Sequence, residues 1–76
     1  MVFNRVKGLL EQEIGIDGDK VTLEAHLNND LGIDSLDVFE LVMAIEDEFE
    51  IEVPNEELAE IKTVKEIVAY IEKKVA

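Results

Sequence analysis

Apolar side chains recur at helical spacing in three separate stretches, and this period restricts the fold more than any other feature. Phe3, Val6, Leu9, Leu10 and Ile14 share one side of residues 2–14, with Arg5, Lys7, Glu11 and Glu13 on the other. Gly15 follows directly, where a left-handed cap ends a helix. Gly8 inside the stretch lowers its helix propensity. Over residues 35–50, Val38, Leu41, Val42, Ile45 and Phe49 fall within an arc of roughly 100°. Val64, Ile67, Val68, Ile71 and Val75 form a third inward stripe. Strand patterning is weak. Only Phe49 to Val53 alternates, and Phe49 already belongs to the second helix.

The connections follow from local chemistry. Residues 15–34 form a long loop with a turn at Asp17-Gly18-Asp19. Val21, Leu23, Leu27, Leu31 and Ile33 anchor it to the core. Pro54 forbids direct continuation from the second helix, and Asn55 can cap a short helix over Glu56 to Ile61. Thr63-Val64-Lys65-Glu66 is a capping box that opens the last helix. Lys73 and Lys74 sit at its end, where the helix dipole favours cations. The expectation is all-α: a small four-helix bundle, three main helices plus one short helix, with a long loop between helices one and two.

Length and charge set the class. At 76 residues the chain reads as one domain, 1–76. It holds 19 acidic and 7 basic residues, a net charge of −12. Nucleic-acid binding needs a basic footprint, so that reading is excluded, as is adsorption to an anionic membrane surface. Basic protein surfaces are the partners such a field attracts. With no Cys there is neither a disulfide framework nor a thiolate zinc site. Residues 1–7 have no signal-peptide run, and no apolar stretch nears a membrane span. The expected setting is cytoplasmic, or a mature form without its transit peptide.

Three features converge on the start of the second helix. Asp34-Ser35-Leu36-Asp37 offers two caps. If Ser35 is the cap, its hydroxyl is used up. If Asp34 is the cap, Ser35 takes the first helical position with its hydroxyl outward, and a phosphate ester there would lie near helix N–H groups. Second, Leu36, Phe39 and Met43 cluster within about 60°, centred roughly 140° from the core arc. Asp37, Glu40, Glu46, Asp47 and Glu50 flank this stripe. It either packs under the loop or the short helix, or forms a docking patch with an acidic rim. Third, residues 21–61 hold 13 acids and no Lys or Arg. Leaving out every cation costs self-repulsion, and fast steering of basic partners is the simplest functional reason for it.

Other chemistries fail on inspection. His26 is the only His, so no His-based metal or catalytic group forms. Counting Asp17 as the first position of a calcium loop, Val21, Thr22 and Asn28 occupy the fifth, sixth and twelfth places. There is no glycine-rich phosphate loop. Ser35 has no evident base, which argues against a hydrolase.

Asp30-Leu31-Gly32-Ile33-Asp34-Ser35-Leu36-Asp37, followed by Glu40-Leu41-Val42-Met43, resembles the acyl carrier proteins of dissociated (type II) fatty acid synthesis. The resemblance extends to Val21-Thr22, to Glu46 through Phe49, to Val53-Pro54 and to Thr63-Val64. It implies that Ser35 carries 4′-phosphopantetheine, delivered from coenzyme A by a magnesium-dependent phosphopantetheinyl transferase (holo-ACP synthase). It implies a carrier rather than an enzyme, holding acyl chains as thioesters and raising their effective concentration at each partner. Asp34, Leu36, Asp37, Phe39, Glu40, Met43, Glu46 and Asp47 are the expected partner-binding residues. They would meet Arg/Lys patches on fatty acid synthesis enzymes and acyltransferases, with the carrier a monomer. The acyl chain of such carriers can fold back into a core that opens. Phe39 is bulkier than the small aliphatic expected there. Two other readings stay open: an unmodified acidic adaptor, which gives Ser35 no task, and an aminoacyl or peptidyl carrier, which shares the serine.

Overall fold

Periodicity and caps together build four α-helices in the computed structural model, which describes residues 2–75. They are α1 (Val2–Leu9), α2 (Ser35–Phe49), α3 (Asn55–Leu58) and α4 (Val64–Val75). Helix α1 runs on into a wider π turn, Leu10–Ile14, so the expected first helix spans the expected residues in two forms. Gly15 ends it with φ of 79°, and the Leu10 carbonyl accepts both the Gly15 and the Ile16 N–H. Only glycine adopts that φ without strain.

The core draws on every helix except α3 and on the loop. Val6, Leu10, Ile33, Leu41, Val64 and Ile71 are its most deeply buried side chains. Val21, Leu27 and Leu31 join them as expected, and so does Ala25, which helical spacing did not mark. Leu23 and Val75 depart from expectation and lie exposed. Val75 is the last residue of α4. Leu23 gives its carbonyl to the Lys65 N–H at 2.9 Å while its side chain faces water.

The long loop is fastened at two levels. Asp17 caps a single 3-10 turn, Gly18–Lys20, by accepting the Asp19 N–H. Further on, His26 pairs with Thr63 in an isolated antiparallel bridge. The Leu27 N–H donates to the Lys62 carbonyl at 2.9 Å, and the Val64 N–H to the Ala25 carbonyl at 3.1 Å. The start of α4 is thus stitched to mid-loop. The capping box forms as expected: the Thr63 N–H donates to Glu66 Oε1 at 3.0 Å and the Glu66 N–H to Thr63 Oγ1 at 3.2 Å. The Lys62 N–H also donates to that carboxylate, and this bond is the main cause holding the Glu66 carboxyl below its ordinary value of 4.5.

Two local expectations change. Asn55 is the first residue of α3, not its cap; Pro54 stands at the cap and offers no side-chain acceptor. The α3 turn continues to Ile61 through tighter bonds, Glu60 N–H to Glu57 and Ile61 N–H to Leu58. Residues 49–53 form no strand. Glu50 turns left-handed at φ 55°, and the Ile51 and Val53 N–H groups both go to Glu46, the first to its carbonyl and the second to its carboxylate.

Candidate functional site

The loop delivers the chain to α2 in a fixed pose. Asn28 Nδ2 donates to the Ile33 carbonyl at 3.2 Å, and the Ile33 N–H returns to the Leu27 carbonyl. Gly32 takes the positive φ of 66° that this reversal needs. Burial of Leu31 and Ile33 on either side pins Gly32 and aims Asp34 at the helix start.

Asp34 is the cap. Its Oδ1 accepts the Asp37 N–H at 2.9 Å, and its backbone is extended as a cap residue requires. Ser35 is therefore the first helical residue, and it is exposed. Its hydroxyl takes no part in holding the helix. An ester oxygen there sits at the positive end of a 15-residue helix, beside N–H groups that no carbonyl of the helix can satisfy. These residues fit a phosphate ester. They offer a free hydroxyl and a dipole of the right sign.

The second stripe of α2 lies on the surface. Leu36 is 75% exposed, Met43 62% and Phe39 49%. Leu36 and Met43 pack under neither the loop nor α3. Phe39 does so in part, since it shares a slot with Val38, Leu58, Ala59 and Ile61 that opens beside Ser35. Glu40 and Asp47 are exposed around the stripe, while Asp37 and Glu46 are half-buried. Glu46 has a structural task that spacing did not reveal, because its Oε2 accepts the Val53 N–H at 2.9 Å. The apolar centre and acidic rim stand together on one helix face, ordinary interface anatomy.

Behind α2 lies an apolar pocket among Val38, Leu41, Val42, Leu58, Ile67 and Ile71. Its free volume is about 10 Å³, room for about one water and far less than an acyl chain. Tyr70 closes its outer side. The Tyr70 hydroxyl donates to Glu57 on α3, joining α3 to α4. Burial, then that bond to Glu57, push the phenol up to about 12. This pairing was not legible in the sequence.

A family model described as a phosphopantetheine attachment site matches residues 4–71. The acyl carrier protein of Bdellovibrio bacteriovorus is 49% identical over 70 residues, covering 92% of this chain and 90% of the relative. That of Helicobacter hepaticus is 50% identical over 70 residues, covering 92% of both. That of Clostridium acetobutylicum is 45% identical over 71 residues, covering 93% of this chain and 92% of the relative. The chain belongs to the acyl carrier protein family. The family consists of carriers rather than catalysts, and its prosthetic group is covalent 4′-phosphopantetheine. Among the described residues, no helix is long and apolar enough to cross a membrane.

Proposed function

We propose that Ser35 is the attachment point of 4′-phosphopantetheine and that the chain, as one carrier domain, carries acyl groups in fatty acid synthesis. The observation that carries this is the division of labour at the head of α2. Asp34 caps the helix, so Ser35 is free for modification. The arm supplies a terminal thiol on which acyl groups are held as thioesters, a group the Cys-free chain itself lacks.

The residues of α2 do the rest. Leu36, Phe39 and Met43 are the apolar anchors of a docking face that begins one residue after Ser35. Asp34, Asp37, Glu40, Glu46 and Asp47 give it a negative rim that steers basic patches of the phosphopantetheinyl transferase and the synthesis enzymes. One face thus serves many partners in turn, with the cargo tethered at its edge. The carrier works as a monomer in the cytoplasm. Val38, Leu41, Val42 and Ile71 line the space into which an acyl chain folds once α3 moves outward.

Intact mass tests the reading. After incubation with coenzyme A, Mg²⁺ and a broad-specificity phosphopantetheinyl transferase, the chain gains one arm, and Ser35→Ala gains none. A folded chain that gains nothing overturns the proposal. Loading of the holo form by amino-acid adenylating enzymes in preference to an acyl-protein synthetase overturns the acyl assignment.

A further inference from the structure

Two clefts open beside Ser35, and they differ in chemistry. One is the apolar slot towards α3, lined by Val38, Phe39, Leu58, Ala59 and Ile61. The other, about 340 Å³, lies on the loop side, with an apolar floor of Leu27, Ile33, Val38 and Ile61 to which His26, Asn28, Asn29, Asp34 and Lys62 add polar groups. Residues 21–61 contain no Lys or Arg, yet the fold returns the first cation after that run, Lys62, to the middle of it, beside Ser35.

Lys62 is held there by its backbone. Its N–H donates to Glu66 Oε1 at 3.0 Å, and its carbonyl accepts the Leu27 N–H at 2.9 Å. Its ammonium makes no ion pair within hydrogen-bonding range among the described residues. The nearby Glu66 carboxylate is committed to the capping box. The opposite wall is equally fixed. Asn28 spends its Nδ2 on the Ile33 carbonyl, which leaves its Oδ1 as an acceptor. Asn29 makes no side-chain hydrogen bond among the described residues. The charged residues lining the cleft are Asp34, whose carboxylate is bound to the Asp37 N–H, and Lys62, whose charge also acts on the Glu66 carboxylate, with His26 beside them.

We infer that the loop-side cleft seats the phosphodiester end of the arm on Ser35, with Lys62 as its charge partner and Asn28 and Asn29 as partners of the adjoining polar atoms. The inference rests on Ser35 being the attachment point. A phosphodiester is anionic and stands next to the Asp34 carboxylate. It is stabilised on the side that offers a cation and amide groups, not in a slot of apolar carbon. Lys62 is a positioning residue, holding the root of the arm while its far end remains free to reach a partner.

The test compares apo and holo wild-type protein by NMR, with Lys62→Gln beside them. At fixed pH, loading shifts the side-chain resonances of Lys62, leaves those of Lys7 and Lys20 where they were, and shifts the side-chain amides of Asn28 and Asn29. The phosphorus resonance of the holo form depends on salt in the wild type and loses that dependence in Lys62→Gln. The variant keeps both backbone bonds of residue 62, and its apo spectrum checks the fold. An unmoved Lys62, with loading effects confined to Phe39, Leu58 and Ala59, overturns the inference and leaves the carrier reading standing. A Ser35 that never takes the arm, read by intact mass, overturns both.

Discussion

Removing the Asp34 side chain separates the two tasks at the head of α2. In Asp34→Ala the Asp37 N–H loses its acceptor, a bond of 2.9 Å in the native protein. Loss of such a cap costs about 1 kcal/mol, within a range of roughly 0.5–2. Unfolding entropy of roughly 2.1 cal/mol/K per residue amounts to about 160 cal/mol/K for a chain this long. The melting temperature should therefore fall by about 6 °C. Charge complicates the comparison, because any neutral residue at 34 relieves repulsion in a chain of net charge −12. Asp34→Asn removes the same charge but keeps an equally good cap. The difference between the Ala and Asn variants of the apo protein, followed by circular dichroism at fixed salt, isolates the hydrogen bond. Ser35→Ala should leave the melting temperature within about 3 °C, as expected of an exposed residue with no bond to lose. If Ser35→Ala melts as low as Asp34→Ala, or if the Ala and Asn variants at 34 melt together, Asp34 is not the cap and the free hydroxyl has no structural basis.

Three further outcomes are expected. Tyr70 is the only tyrosine, so its phenolate absorbance is unambiguous: it should appear only near pH 12 in the folded chain, against 10.0 for a free phenol. Because the folded value is raised, the stability linked to Tyr70 is complete below pH 10 and is lost as pH rises towards 12; Tyr70→Phe should remove that alkaline loss. Salt should raise the melting temperature by screening self-repulsion, with Mg²⁺ more effective than NaCl at equal concentration; a flat profile would show that −12 is tolerated without strain. Met43→Ala with Glu40→Lys should weaken binding to the phosphopantetheinyl transferase by tenfold or more, measured by titration calorimetry, with no change in helicity.

Helices α1, α2 and α4 were legible because each is long enough for the helical period to show, and each has a chemical stop or start at its ends. Gly15 and the Thr63–Glu66 box behave as their residue types demand. The competition of Asp34 and Ser35 for one cap was legible as well, and the structure gives the cap to Asp34. Helix α3 was harder. At four residues it has no period to read, and Pro54 fixes its start in place of a side-chain cap. The exposure of Leu23 was invisible because a loop has no period that assigns a side chain to a face.

What the residue pattern alone dictated is local: which stretches coil, which face of each is apolar, where caps fall, and how strongly one sign of charge prevails. Those properties depend on neighbours three or four residues apart, so they are present in the order of the residues. What the packed molecule decided is which distant residues meet. The turn at 26–31 and the pairing of His26 with Thr63 bring Lys62 alongside Ser35, 27 positions away in the chain. The Tyr70–Glu57 bond closes the apolar pocket, and the Glu46 carboxylate accepts the Val53 N–H. None of these has a spacing rule, because each arises only when burial of the shared core brings separate segments to the same place.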